Sequence, residues 1–161
     1  MNKTEQIDVT LVIPLLNEEE SLRPLMEKIR TTLNENNLTY EIIFIDDGST
    51  DGSMKVLEEL HAAHPEVRVI QFRRNFGKGA AYTAGFERAT GQFVITMDAD
   101  LQDDPAEIPG MLAKLEEGYD LVSGWKKKRF DPLGKTLPSK FFNWVTGRVS
   151  GTKIHDFNCG L

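Results

Sequence analysis

Apolar residues fall into short unbroken runs, separated by stretches in which they recur every three or four positions. The two patterns alternate along the chain. Runs at 8–14 (DVTLVIP), 40–49 (YEIIFIDDGS), 67–72 (VRVIQF), 92–100 (QFVITMDAD) and 120–125 (DLVSGW) predict five strands, the first ended by Pro14. Over 17–36, Leu22, Leu25, Met26, Ile29 and Leu33 keep helical spacing, and Glu18, Glu19 and Glu20 stand where a helix N-terminus favours carboxylates. Pro24 is compatible only with a first turn. Further helices are predicted over 51–64, with Asp51 or Ser53 as cap, and over 77–90, rich in small residues. Another is predicted to open at Pro105 and run through Glu117, closed by Gly118. After the fifth strand the pattern weakens, and 138–151 (PSKFFNWVTGRVSG) reads as an amphipathic helix carrying Phe141, Phe142, Trp144 and Val145.

Alternating strands and helices, with strands apolar on both faces, predict an α/β fold: a mainly parallel sheet flanked by helices. The 161 residues fit a single domain, 1–161, with no internal repeat or linker. In such sheets ligands bind beyond the carboxyl ends of the strands. Polar clusters stand at four of those ends: PLLNEEE, DDGSTDGS, DADLQDD and GWKKKR. Their convergence on one rim marks the site more strongly than any single cluster.

Composition narrows the partners. Nineteen basic against 25 acidic residues give a formal charge of −6, which excludes broad attraction to nucleic acid. Cys159 is the single cysteine, so no intrachain disulfide forms, and a reducing compartment fits. Three His and one Cys offer too few ligands for a zinc site. The N-terminal MNKTEQID has no apolar signal region, and no run reaches the roughly 18–20 apolar residues that cross a bilayer. The chain stops at KIHDFNCGL without a polar tail, which reads as a natural end or as a truncation at the C-terminus.

The acidic stretch carries the most chemistry. Asp98 and Asp100 lie two apart in a segment expected to be extended, so both carboxylates face one side, and the small Ala99 between them lets a ligand approach. Adjacent carboxylates call for a neutralising cation, and oxygen-only ligands suit Mg2+ or Mn2+, with Gln102 adding a carbonyl oxygen. The plainer reading is a solvated acidic loop before a helix, which is the role expected of Asp103 and Asp104. Asp46 and Asp47 end the second strand, where a carboxylate accepts hydrogen bonds from a nucleobase or ribose, or else builds a turn. RRNFGKGAA fits neither glycine-rich fingerprint: Tyr82 stands where the dinucleotide motif needs glycine, and Gly79 where a P-loop needs Ser or Thr. Helix-start amides there, helped by Lys78, suit an anion; a tight turn explains the glycines equally. Lys126, Lys127, Lys128 and Arg129 form a basic patch, either a solvated loop or a phosphate contact.

Taken together, VIPLLNEEESL, IDDGSTDGS, NFGKGAAYTAGF, MDADLQDDP and HDFNCGL resemble the family-2 inverting glycosyltransferases, in particular the dolichol-phosphate mannosyltransferase-like branch that uses polyprenyl phosphate. The resemblance runs from about Val9 to the last residue. It implies a GT-A fold, a UDP- or GDP-sugar donor, a polyprenyl-phosphate acceptor and inversion at the anomeric carbon. Pro14, Leu16, Glu18, Ile45 and Asp47 would line the nucleoside pocket. Asp98 and Asp100 would be the DxD pair, with Gln102 completing the metal site. Leu16 stands where relatives often carry Tyr, and Lys126 where they often carry Arg; a lysine contacts phosphate as a point charge. Asp156 occupies the place of a catalytic base in other branches.

A phosphate monoester acceptor, with a second pKa of about 6, is largely dianionic at neutral pH and needs little help from a base. Asp156 is then a positioning or acceptor-side group, and WKKKR the element that draws an anionic acceptor toward an anionic donor. A saccharide acceptor would instead make Asp156 an essential base. A third reading is a nucleotide-sugar-binding fragment without activity, since chains of this branch continue into acceptor-side structure and often membrane helices. The branch works at the cytoplasmic face of a membrane, held peripherally or through such a C-terminal part. The aromatic segment at 141–145, flanked by Lys140 and Arg148, suits a membrane surface or a packed core.

Overall fold

The computed structural model describes residues 7–124. Among these residues four strands, β1 (Val9–Leu15), β2 (Tyr40–Asp46), β3 (Val67–Gln71) and β4 (Phe93–Thr96), form one sheet in the order β3-β2-β1-β4. Every pairing is parallel; Val9 stands opposite Tyr40 on one side and Phe93 on the other. The helices α1 (Leu22–Glu35), α2 (Ser53–Ala63) and α3 (Lys78–Phe86) supply the crossovers, and α4 (Ile108–Glu116), preceded by a 3-10 turn, Pro105–Glu107, follows β4. This is the α/β arrangement expected from the alternating pattern.

The sheet separates two apolar layers. On one face Leu11, Ile13, Ile42 and Phe44 pack against Leu22, Leu25, Ile29 and Leu33 of α1, Leu57 of α2 and Ile108 of α4. On the other, Val12, Ile43 and Ile45 pack against Ala81 of α3. All seven residues of β1 are buried, as a central parallel strand requires. The α3 helix lies close on its face: a Cβ at Gly85 would come within 2.3 Å of Val12 Cγ1.

Several expected boundaries move for identifiable reasons. The α1 helix starts at Leu22, five residues later than its acidic lead-in suggests, and no acidic residue lies in its first turn. Glu18 and Glu19 are used in a loop instead. Glu18 N–H donates to Ser53 Oγ at 2.8 Å, Glu19 N–H to Asp51 Oδ2 at 3.2 Å, and Glu19 Oε2 accepts Gly52 N–H at 2.9 Å. Pro24 accordingly falls in the first turn. The N-cap of α2 is Gly52 without a side-chain cap bond; Asp51 Oδ1 accepts Ser53 N–H at 3.0 Å from just outside. The β4 strand ends at Thr96, four residues short of expectation. The fifth strand does not form over 120–124, where only Leu121 and Val122 favour strand structure. Those two residues instead help line an apolar groove with Phe86, Val94 and Met111. The amphipathic segment at 138–151, the basic patch at 126–129 and Trp125 lie outside the described residues.

At the amino ends of the strands a buried carboxylate fastens three segments. Glu41 Oε1 accepts Thr10 Oγ1–H at 2.8 Å, Thr90 N–H at 2.7 Å and Thr90 Oγ1–H at 2.8 Å, and Oε2 accepts Arg68 NH1 at 2.9 Å. Thr10 Oγ1 in turn accepts Gly91 N–H at 2.8 Å. This network sits at the end of the sheet away from the polar rim.

Candidate functional site

After β1, the chain builds β2 and β3 to one side and then returns to place β4 on the other. Neighbouring crossovers diverge at such a point and leave a crevice beyond the carboxyl ends of β1 and β4. A cleft of about 330 Å³ opens there, lined by Pro14, Leu15, Leu16 and Glu18 after β1, Asp47 after β2, Asn75, Gly77 and Lys78 at the start of α3, and Asp98, Ala99 and Asp100 after β4. Of the residues singled out from the sequence, Pro14, Leu16, Glu18, Asp47, Lys78, Asp98, Ala99 and Asp100 come together in this one cleft.

Two expected members stand elsewhere. Ile45 is fully buried in β2 and packs with Val12, Ile43 and Ala81 against α3. Gln102 is exposed and does not line the cleft; its backbone N–H donates to Asp100 Oδ1 at 3.0 Å. Lys126 and Asp156 lie outside the described residues.

The Asp98–Asp100 pair is presented by a turn rather than by an extended strand. Ala99 and Asp100 are in turn conformation, and Leu101 follows with φ of 64°. The turn is braced by Asp103, whose buried carboxylate accepts Asp98 N–H at 3.2 Å. Asp104 takes the role expected of it, capping the 3-10 turn by accepting Ala106 N–H at 3.1 Å. No pattern in DLQDDP separates these two adjacent aspartates; the difference arises from the chain reversal at Leu101.

Asp47 is 5% exposed, and both of its oxygens are engaged. Oδ1 accepts Phe76 N–H at 2.7 Å and Oδ2 accepts Gly77 N–H at 2.9 Å. The carboxylate thereby fixes the loop that launches α3. Gly48 holds the same loop from below, in a left-handed conformation (φ 83°) in which a Cβ would lie 2.5 Å from the Arg74 carbonyl carbon. On the other rim, Asn17 binds the 49–50 turn through its own N–H to Ser49 Oγ at 2.9 Å and through Thr50 N–H to its Oδ1 at 2.8 Å. Glu18 Oε2 accepts Ser21 Oγ–H at 2.8 Å, which steadies it at the cleft edge.

One cation already faces the acidic turn. Lys78 Nζ donates to Asp98 Oδ1, with its charge also near the Tyr82 ring, 5.6 Å from the centroid. Partial burial works against the ammonium, but the Asp98 hydrogen bond and charge outweigh it and raise the Lys78 pKa above its ordinary value. Tyr82 is raised too, by burial first and by the charge of Asp98. Sequence reasoning missed Asn75, Gly77 and Asp103 as members of the site or its support. Asn75 and Gly77 stood in a motif already singled out, whereas Asp103 carried no signal of its own.

The chain belongs to the glycosyl transferase family 2, whose family model matches residues 10–159. It is 38% identical over 160 residues to a dodecaprenyl-phosphate galacturonate synthase of Rhizobium johnstonii, covering 98% of this chain and 47% of that protein. It is 42% identical over 165 residues to an undecaprenyl-phosphate 4-deoxy-4-formamido-L-arabinose transferase of Proteus mirabilis, covering 100% of this chain and 50% of that protein. The chain thus spans about half the length of the curated relatives it matches. Its fold is that of the GT-A glycosyltransferases. A mannosyltransferase from Pyrobaculum calidifontis, solved in complex with GDP-Man and Mn2+, superposes with a TM-score of 0.61 at 23% identity, covering 74% of this chain and 35% of that one. Among the described residues no helix is long and apolar enough to cross a membrane.

Proposed function

We propose that this chain is the donor-binding core of a transferase that moves a sugar, with inversion, from a UDP- or GDP-sugar to a polyprenyl phosphate. The observation that carries the reading is the convergence of Asp98, Asp100, Asp47 and Lys78 in one cleft at the switch point of the sheet. The acceptor class is supported by the relatives named above, which act on dodecaprenyl or undecaprenyl phosphate.

A divalent cation fits the residues present. Asp98 and Asp100 offer hard oxygen ligands on one turn, and the Lys78 ammonium at Asp98 shows that the turn attracts positive charge. Among the described residues no group of three or more His, Cys, Asp or Glu side chains is placed to hold a metal, so part of the shell would come from donor phosphates or water. When bound, Mg2+ or Mn2+ supplies neutralisation of the charge that builds on the departing nucleoside diphosphate. Lys78, at the start of α3, lines the same cleft and would meet that diphosphate. Pro14, Leu16 and Glu18 form the wall for the nucleoside. Lys126 attracts the acceptor phosphate and Asp156 orients it. The isoprenoid tail of such an acceptor places the work at a membrane surface, on the cytoplasmic side where nucleotide sugars are found.

The test is thermal unfolding of the chain with UDP- and GDP-sugars, each with and without Mn2+. Metal-dependent stabilisation by one nucleotide class is expected; the absence of metal-dependent stabilisation by either contradicts the reading. In a transfer assay at saturating donor, Asp156→Asn should keep near-normal turnover on a polyprenyl phosphate, and collapse of that turnover would return Asp156 to the role of base.

A further inference from the structure

We infer that Lys78 is a built-in counter-ion of Asp98, which must leave that carboxylate before a divalent cation binds, so that cation and nucleoside diphosphate enter as a coupled pair. The inference rests on the donor-site reading above and adds to it an order of electrostatic exchange within the cleft.

The acidic turn holds Asp98, Asp100, Asp103 and Asp104 within seven residues of chain. The ammonium that answers it comes from α3, twenty residues away in sequence, and lands on Asp98 Oδ1, an oxygen a cation would also use. An ammonium and a divalent cation cannot share that oxygen, and their like charges repel.

The backbone and side chain of Lys78 differ in freedom. The preceding residues are pinned by Asp47 at Phe76 and Gly77 and by the close approach of Gly48 to Arg74. The side chains of Lys78 and Asp98 are 51% and 34% exposed, so their pair is solvent-screened and cheap to break. Around the loop there is space: a Cβ added at Gly77 or Gly79 would meet no atom within 4 Å. The exchange therefore needs only a side-chain rotation on a fixed backbone. A diphosphate arriving in the cleft gives Lys78 a replacement anion, while the cation takes over Asp98. Metal and nucleotide then each raise the other's affinity by the same factor, as linkage demands.

The experiment measures Mn2+ binding to the full chain by electron paramagnetic resonance, alone and with UDP or GDP in separate titrations. Asp98→Asn serves as the reference that removes cleft binding from weaker surface acidic sites. Lys78→Met should bind Mn2+ alone about fivefold more tightly than the unaltered chain, the scale of a half-exposed ion pair. With Mn2+ present it should bind the nucleoside diphosphate about fivefold more weakly. Lys78→Arg, which keeps the charge, should keep the weaker Mn2+ binding of the unaltered chain, and Lys78→Gln should repeat the Met result with a polar neutral side chain. Equal Mn2+ affinity in Lys78→Met and the unaltered chain, with nucleotide binding intact, overturns the counter-ion role and leaves the donor site standing. An Arg variant that binds Mn2+ as tightly as the Met variant overturns it too, because charge would then not be the cause. Absence of Mn2+-dependent nucleotide binding in every protein sinks the donor-site reading and this inference with it.

Discussion

Asp47 offers a sharp separation between holding the site and touching the ligand. Its two oxygens accept the Phe76 and Gly77 amides at 2.7 and 2.9 Å, and it is 5% exposed. A hydrogen bond to a charged acceptor contributes about 1.5–3 kcal/mol net. The two bonds act on one short loop beside an open cleft, where water replaces part of each, so Asp47→Ala should cost about 2–3 kcal/mol in all. Asp47→Asn keeps one acceptor but turns its own NH2 toward the second amide, and should cost about 1–2 kcal/mol. Urea unfolding measures the totals. Hydrogen exchange at Phe76 and Gly77 measures the local effect, and in the Ala variant should quicken by roughly tenfold to a hundredfold, since each tenfold is 1.4 kcal/mol. UDP and GDP affinities should fall by similar factors, because a loosened loop misplaces Lys78 whatever base is bound. Unchanged exchange together with a loss confined to one nucleotide would refute the reasoning and make Asp47 a direct reader of the base.

Three further outcomes are expected. Burial pushes the Glu41 carboxyl up, but hydrogen bonds from Arg68, Thr10 and Thr90 prevail and hold it below its ordinary 4.5. Its stabilisation is therefore present above that value and lost as pH falls through the lowered folded value. Glu41→Gln should cost about 1–2 kcal/mol at pH 7 by chemical denaturation, and the gap should close in acid below the ordinary value. Gly48→Ala combines a left-handed backbone with a clash on Arg74 and should lower stability by about 2–4 kcal/mol. Asp103→Ala should weaken Mn2+-dependent nucleotide binding several-fold by releasing the Asp98 turn, whereas Asp104→Ala should leave binding intact and cost only a cap, about 1 kcal/mol.

Strand and helix alternation was legible because its causes are local and periodic. Leu22, Leu25, Met26, Ile29 and Leu33 all point into the core, as their spacing predicts. The start of α1 was not legible, because Glu18 and Glu19 look like helix-start acids and are in fact tied to the 51–53 turn of another crossover. Ile45 shows a different limit. A strand buried on both faces has no alternation to reveal which side chains face the cleft end and which face α3. Three of the four expected polar segments, those after β1, β2 and β4, were readable as meeting in the cleft, the fourth lies outside the described residues, and the internal pairing of the cleft was not readable. That Lys78 meets Asp98 depends on β4 lying beside β1 with α3 across it, which sequence spacing does not encode. The fifth strand expected from DLVSGW at 120–125 does not form over its described residues, 120–124, where only Leu121 and Val122 favour strand structure.

The strand order carries a kinetic consequence. Val9 pairs with Tyr40 and also with Phe93, so the β1–β4 ladder closes by far the longer loop of the two. Long closures cost more chain entropy and tend to form late. The Asp98 turn is delivered by that ladder, so a partly folded chain holding only β1, β2 and β3 has no cleft to offer. Nucleotide would then bind only once β4 has paired with β1, and would stabilise the sheet as a cooperative unit, by an amount that grows with the logarithm of its concentration. On the proposed donor-site reading, recovery of nucleotide binding during refolding should mark the docking of β4 on β1, and a refolding trace followed by ligand should lag one followed by helix content.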